Sequence, residues 1–409
     1  MKVLDYNLPE NKIAKHPLKD RSSSKLLIYK NAKIEESNFK NLANFLPANS
    51  HLFINNTKVI QARIALQKST GAKIELLLLE PYNPSGNPYE TLHFSDSVLW
   101  KAMIGGAQKF KEGTIISKQI EIDGRSFPVF FERIQNINDV FLIKIHWENP
   151  NPEYYTFIDI LSYLGETPIP PYLNRKEDKI DKLRYQTIFA KKEGSIAAPT
   201  SSLHYDELVF NKLEEKGIQK HALTLHVGAG TFLPIKTERI EEHLMHSEWM
   251  ELNLDILEQL LNILKNDEKI IASGTTMMRY LESTYWYGVF ILKKKQDIDK
   301  IQQSFIDNNK LAEISAIESF EAIIEYWKEK NKNKKMLQTS IFIYPGYNFK
   351  IVDALITNFH QPKSTLLLLV SAFIGENWKN VYDYALNNNY RFLSYGDSSL
   401  LFKPTQVAE

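Results

Sequence analysis

Ile270-Ile271-Ala272-Ser273-Gly274-Thr275-Thr276-Met277-Met278-Arg279 decides the fold. The first four residues read as a short buried strand, Gly-Thr-Thr as a turn, and the run behind it as a helix carrying Arg279. A strand that turns directly into a helix is the repeating unit of an α/β layer, and such layers bind ligands at the carboxyl ends of their strands. Thr275, Thr276 and Arg279 are therefore candidates for holding a carboxylate, with the guanidinium in bidentate geometry. Helix capping by either threonine is the plainer alternative.

Working outward, short apolar or alternating bursts predict strands at His51–Asn55, Lys73–Glu80, Val140–His146, Ala222–Val227, Lys269–Ser273 and Ser340–Ile343. Helical period marks Asp206–Lys216 and Met250–Lys265. Residues 61–155 differ: short strands alternate with Gly, Pro, Asn and Asp turns, the pattern of a small β-barrel. The expected architecture is an α/β main domain, residues 1–60 and 156–409, with an inserted β-barrel domain at 61–155. A mixed-charge helical insertion near 286–338 places Ile314, Ile317, Phe320, Ile323, Ile324 and Trp327 on one burying face. The lysines after it, Lys328 to Lys335, read as a solvated helix end in preference to a basic tract.

The 409 residues hold 50 Lys plus Arg against 49 Asp plus Glu, a net charge of +1, with 43% hydrophobic residues. These globular values exclude a disordered or collagen-like chain. Near-neutrality argues against coating nucleic acid or an anionic membrane by bulk charge, while leaving room for a local basic patch. Cysteine is absent, so disulfides, thiolate nucleophiles and Cys-based zinc or iron–sulfur sites are excluded. A cytoplasmic protein without a secretory leader is expected. The apolar run Leu366–Ile374 falls short of the ~20 residues of a membrane helix and reads as a core element.

Several loops carry chemistry-bearing residues. Gly194–Tyr205 combines small residues with Ser195, Pro199, Thr200 and His204 ahead of a helix, suited to close backbone approach to a ligand or to a simple N-cap. His226-Val227-Gly228-Ala229-Gly230 begins like a dinucleotide loop. It lacks the third glycine, and Pro234 interrupts the helix that should follow, so Gly228 and Gly230 read as a tight turn over a site floor. His243, His246 and Glu248 suit acid–base work more than metal binding, and no metal site is expected. Asn358, His360, Ser364 and Thr365 follow one apolar strand, and Tyr390–Asp397, with Tyr395 and Asp397, closes the chain. Polar loops after apolar strands point to one shared cleft.

Taken in order, these segments resemble the S-adenosylmethionine:tRNA ribosyltransferase-isomerases of queuosine biosynthesis. The resemblance runs from Asp20-Arg21-Ser22-Ser23 and Phe53–Arg63 through Lys73-Ile74-Glu75, Pro168–Tyr172, Arg184–Thr187 and Ala197–Thr200. It continues through His226–Phe232, His243–Glu248, Gly274-Thr275-Thr276 and Thr357–His360, so that it covers nearly the whole chain. It implies an α/β domain with an inserted β-barrel. It also implies a reaction in which the ribosyl part of S-adenosylmethionine moves onto 7-aminomethyl-7-deazaguanine at the tRNA wobble position. Adenine and methionine leave, and epoxyqueuosine remains in the tRNA. S-adenosylmethionine is then a consumed substrate, no cofactor is needed, and the partner is the tRNA anticodon loop; a monomer is expected.

That chemistry needs a base for a C5′ hydrogen made acidic by the sulfonium, a neutral attacking amine, and a proton for departing adenine. His204, His226, His246 and Glu248 are the acid–base candidates. Ser195, Pro199, Thr200, Gly228, Gly230, Thr275, Thr276, Arg279, Asn358, His360, Tyr395 and Asp397 are the substrate-binding candidates. Phe359 and Tyr395 could face the sulfonium by cation–π attraction, though core packing is the favoured reading for each taken alone. Lys12, Lys15, Lys19, Arg21, Arg63, Lys68 and Lys73 are candidate phosphate contacts. Departures from the family pattern at Ser201-Ser202, Tyr205, Met277-Met278 and Ala72, together with the length of 286–338, support an alternative. In it the chain is a silent or substrate-shifted paralogue that binds tRNA or a protein partner, its pocket reshaped by the two methionines.

Overall fold

The computed structural model describes residues 3–148, 155–232, 235, 237–305 and 313–404. The chain starts with the hairpin β1 (Lys25–Lys30) and β2 (Lys33–Asn38), the short α1 (Leu42–Phe45), β3 (His51–Asn55) and β4 (Thr57–Val59). A run of strands follows: β5 (Arg63–Gln67), β6 (Lys73–Asn83), β7 (Val98–Gly105), β8 (Ile115–Ile122), β9 (Arg125–Ile137) and β10 (Val140–Trp147), with α2 (Pro88–Leu92) ahead of β7. Next come α3 (Phe157–Leu164), β11 (Gly165–Glu166), α4 (Asp181–Arg184), β12 (Lys192–Ser195), α5 (Glu207–Glu215), β13 (Gln219–His226), β14 (Glu248–Asn253) and α6 (Leu254–Lys265). The last part holds β15 (Ile270–Ser273), α7 (Thr275–Lys294), β16 (Lys300–Ile301), α8 (Ala316–Glu329), β17 (Lys334–Thr339), β18 (Ala354–Asn358), α9 (Thr365–Ile374), α10 (Trp378–Asn387) and β19 (Ser398–Phe402).

Ten strands form one mixed sheet, in the order β16-β17-β14-β13-β3-β15-β18-β19-β1-β2. Its centre, β13-β3-β15-β18, is parallel throughout. Every residue of β3, β15 and β18 is buried, as expected of parallel strands covered on both faces. One face packs against α6 to α10, the other against α1 and α5. The helices start where side chains can cap them. Asp206 accepts from the backbone of Val209 at 3.0 Å, Ser364 from Leu367 at 3.2 Å, and Ser315 with Glu318 closes a capping box.

A second sheet has seven strands in the order β11-β5-β6-β7-β10-β9-β8, all its ladders antiparallel. It wraps its own core around Trp100, Phe110 and Phe131. Register shifts between β6 and β7 and between β9 and β10 bend it. Lys118 on β8 reaches the Ala65 carbonyl on β5 at 3.1 Å, so the sheet curls. Among the described residues its edge strands, β8 and β11, do not pair with each other, and the sheet is curled and open.

Three expectations need correcting. Ser340–Ile343 is not a strand; the strand lies just before it, as β17. The lysine tract is the solvated helix end expected through Lys328 and Lys330, and only its last two residues, Lys334 and Lys335, enter that strand. Its alternation buries Lys335, Leu337 and Thr339, and Lys335 is tolerated inside because Asp297 and Asp299 lie 3.0 and 2.7 Å from its ammonium. Met250–Lys265 is helical only from Leu254, where the Asn253 side chain accepts from Asp255 at 2.8 Å; its first residues complete β14. The mixed-charge segment buries Phe320, Ile323, Ile324 and Trp327 through α8, as its spacing predicts. Leu366–Ile374 is α9, a core helix. Among the described residues no helix is long and apolar enough to cross a membrane.

Candidate active site

The carboxyl ends of β13, β15 and β18 open together into a cleft of about 650 Å³. Its walls come from five loops. The 197–201 segment supplies Ala198, Pro199, Thr200 and Ser201, the end of β13 supplies Val227, and the β15–α7 turn supplies Gly274, Thr275 and Thr276. Thr357, Asn358, His360 and Gln361 come from the end of β18, Ser364 and Leu366 from the start of α9, and Leu393, Ser394 and Tyr172 close the rim. No Asp, Glu, Lys or Arg is among these lining residues. The N-termini of α7 and α9 both open on the cleft, which favours a negatively charged group there despite the neutral side chains.

Gly274 shapes the turn. Its φ of +96° is a conformation L residues avoid, and a Cβ there would meet Ser201 Oγ at 2.5 Å. Among the cleft residues Thr276 Oγ1 is buried without a hydrogen-bond partner, while the Asn358 side chain interacts with His204. Such an unpartnered atom costs stability unless a ligand satisfies it. The Asn358 amide itself is fixed, donating to the Leu393 carbonyl at 2.9 Å. His360 Nε2 lies 2.8 Å from Thr357 Oγ1, and burial pushes the imidazole down to about 3, so it is neutral at pH 7.

The other expected site residues fall into separate clusters. Glu248 and Arg279 form a buried ion pair behind the α7 turn, their side chains 1% and 6% exposed. The carboxylate also accepts from Gly228 N at 3.3 Å and lies 3.4 Å from His246 Nε2. Burial alone would raise its pKa, but Arg279, then His246 and Gly228 N–H, outweigh it and hold Glu248 at about 2. Arg279 donates to the Ile341 carbonyl through Nε, while its Nη2 is buried and unpartnered. Gly230 sits against His246, where a Cβ would come within 2.6 Å of the ring.

His226 lies in a second cluster, its Nδ1 3.0 Å from Thr57 Oγ1, which is 2.6 Å from Ser195 Oγ. Ser195 Oγ also accepts from Val227 N at 2.8 Å, a bond that ties the 195–198 loop to β13. Burial lowers His226 to about 4, with Lys192 adding to the effect. His204 lies in a third cluster, its Nδ1 2.9 Å from Ser24 Oγ. Burial first, then Arg391 and Arg21, take it to about 4. Tyr395 donates to Asp181 at 2.7 Å, and Asp397 accepts from Lys25 N, Arg391 N and the Arg391 guanidinium. Both lie outside the large cleft.

Of the expected binding residues, the cleft thus gathers Pro199, Thr200, Thr275, Thr276, Asn358 and His360. It does not gather Ser195, Gly228, Gly230, Arg279, Tyr395 or Asp397, and none of the four acid–base candidates lines it. Phe359 packs in the core against Tyr382, Tyr390 and Phe392. The cleft's aromatic is Tyr172, within the Pro168–Tyr172 segment of the family resemblance, its hydroxyl bonded to Ser394. Thr357, Ser394 and Leu393 carried no sequence signal of their own. Met277 and Met278, expected to reshape the pocket, point into the core at 0% exposure, because the helix turn carries them away from the cleft. Ser201 fits beneath Gly274, Ser202 Oγ is 3.1 Å from Ser273 Oγ, and Tyr205 packs between Phe39 and Phe210. Leu233 and Pro234, the latter expected to interrupt a helix, lie outside the described residues. Among the described residues no group of His, Asp and Glu is placed to hold a metal ion.

An α/β sheet whose parallel strands end in one hydroxyl-lined cleft, joined to a curled antiparallel sheet, defines a ligand-binding α/β protein with an appended β unit. The queuosine biosynthesis protein model matches residues 1–401. An S-adenosylmethionine:tRNA ribosyltransferase-isomerase from Halothermothrix orenii is 37% identical over 408 residues, covering 98% of this chain and 100% of that protein. Proteins of the same name from Legionella pneumophila and Aquifex aeolicus are each 36% identical, covering 97% of this chain and 98% of their own. A solved S-adenosylmethionine tRNA ribosyltransferase from Thermotoga maritima is 24% identical with a TM-score of 0.45, over 98% of this chain and 99% of that one. The chain belongs to the queuosine biosynthesis protein family.

Proposed function

We propose that this chain transfers and isomerises the ribosyl group of S-adenosylmethionine onto 7-aminomethyl-7-deazaguanine in the tRNA anticodon loop. The product is epoxyqueuosine in tRNA, with adenine and methionine released. Family membership supports the reaction. The observation that carries the location is the cleft itself, with unsatisfied Thr276 Oγ1 beside two helix N-termini. In this reading the methionine carboxylate meets the α7 turn and accepts from Thr276, while the Tyr172 ring offers its face to the sulfonium. S-adenosylmethionine is consumed as a substrate.

The reacting amine must be neutral to attack C1′, and a site without carboxylates helps keep it so, because desolvation lowers the pKa of an amine. His360, neutral and inside the cleft, is the acid–base group nearest the proposed ribose. Held at about 3, it is a weak base at pH 7 and would act as a neutral hydrogen-bonding group that orients the ribose together with Thr357. His246 is the group to carry a proton transfer, with Glu248 and Arg279 as positioning residues; a carboxylate held at about 2 is a weak base at pH 7. His226 and His204 hold the 195–204 loop that forms one wall of the cleft. The curled sheet, read as a barrel-like module inserted at 61–155, would face the RNA.

The alternative of a silent paralogue loses its motivation, since the two serines fit under Gly274 and the two methionines lie in the core. The test is to incubate the protein with S-adenosylmethionine and tRNA bearing the aminomethyl base. Adenine release with a ribosyl-derived mass on the nucleoside is expected. A methyl mass with S-adenosylhomocysteine, or binding without product, would overturn the reading.

A further inference from the structure

Beside the large cleft, sharing Ser394 with it, lies a smaller one of about 290 Å³ whose walls include Arg21, Arg184, Arg391 and His204. Its cations are held in an unusual way. Arg21 donates to the carbonyls of Leu203 and Leu183 at 3.0 and 3.1 Å. Arg184 donates to those of Lys19 and Leu18 at 2.9 and 2.8 Å. Among the described residues neither guanidinium has an ion-pair partner, and Asp20, the one carboxylate on the rim, pairs with neither. Arg391 alone is compensated, by Asp397 at 3.0 Å. The two charges are close enough that Arg184, after burial, lowers the Arg21 pKa, an effect that Tyr395 and Asp206 oppose more weakly. The Arg184 Nε is buried without a hydrogen-bond partner, and the His204 side chain, 5% exposed, interacts with the Asn358 amide.

Placing like charges together with neutral carbonyls as their only partners costs stability in the empty protein. A bound anion removes that cost. Guanidinium forks match phosphate oxygens, and the buried Arg184 Nε lacks any other partner. We propose that this cleft is a phosphodiester-binding subsite for the RNA substrate, taking a backbone phosphate next to the nucleotide whose base enters the large cleft. The inference rests on the reaction proposed above. By contrast, Lys15 and Arg63, also expected as phosphate contacts, are already paired with Glu10 and Glu75.

The test measures binding of the substrate tRNA across a salt series, with inorganic phosphate as a competing probe. For wild type, phosphate should displace RNA. In R184Q and R21Q the slope of log K against log salt should fall by about 0.7 each, with affinity near physiological salt down about tenfold. R184K should restore the slope without the full affinity, because charge returns but the fork does not. Unchanged slope and affinity in both Gln variants would overturn the site. Loss of phosphate competition with RNA affinity intact would assign it to a free anion and overturn the RNA subsite. Should R184Q lose its cooperative unfolding transition, R21Q and wild-type phosphate competition decide. Failure of the reaction itself shows separately, as wild-type protein that releases no adenine.

Discussion

Thr276→Val separates what the cleft costs from what it does. Thr276 Oγ1 is buried, with no partner, in a side chain 8% exposed. A buried hydroxyl without a hydrogen bond costs about 1–3 kcal/mol. Valine has the same shape and nearly the same helix propensity, so the variant without ligand should be more stable by about 1 kcal/mol or more. Ligand binding moves the other way. Losing one hydrogen bond to a carboxylate costs about 1.5–3 kcal/mol, or at least tenfold in affinity for S-adenosylmethionine. At a concentration of 100 Kd for wild type, the ligand adds about 2.7 kcal/mol to stability; at tenfold weaker affinity the same concentration adds about 1.4. Denaturant unfolding with and without S-adenosylmethionine should therefore show the variant more stable alone and less stabilised by ligand. The KM for S-adenosylmethionine in adenine release should rise to match. A variant that is destabilised alone while keeping its wild-type ligand response would refute the reasoning.

Arg279→Met leaves Glu248 buried and unpaired, and chemical unfolding should register a loss of about 3–5 kcal/mol. The pair also sets an acid limb: Glu248 is depressed to about 2, so its contribution is present above about pH 4.5 and fades as pH falls toward 2. An Arg279→Met protein with the wild-type acid limb would contradict this. His226 works with the same sense of pH. Its folded pKa of about 4 lies below the ordinary 6.5, so the stability gained by burying it neutral is complete above 6.5 and lost as pH falls toward 4. His226→Gln should flatten that part of the stability profile, and an unaltered slope would count against it. Gly230→Ala should push the His246 ring off Glu248 and lower kcat at least tenfold in a protein that still folds; full activity would remove His246 from the chemistry.

The strand–turn–helix at 270–279 was readable because its strand is short and wholly apolar and its glycine breaks the pattern where the backbone needs positive φ. The same logic located β3, β13 and α5. It missed β17 because lysines there look solvated, and only the aspartates at 297 and 299, distant in sequence, make Lys335 a core residue. The cleft was half legible. Loops rich in Gly, Ser and Thr after strands pointed to Thr200, Thr276, Asn358 and His360. Arg279 looked like a ligand group from its place on α7, yet one helical turn moved it behind the cleft and onto Glu248. Tyr172 could be found only through the family resemblance, since a tyrosine after prolines has no chemical signature by itself.

The neutral lining of the large cleft has a consequence for selectivity. Among the described residues no carboxylate faces the place proposed for the sulfonium, so the charge at sulfur is recognised through the Tyr172 ring alone. S-adenosylhomocysteine, which lacks that charge and the reactivity that goes with it, should then occupy the cleft nearly as well as the substrate. Such a cleft tells the two compounds apart by that one weak attraction. S-adenosylhomocysteine should therefore compete with S-adenosylmethionine when adenine release is followed in the presence of both.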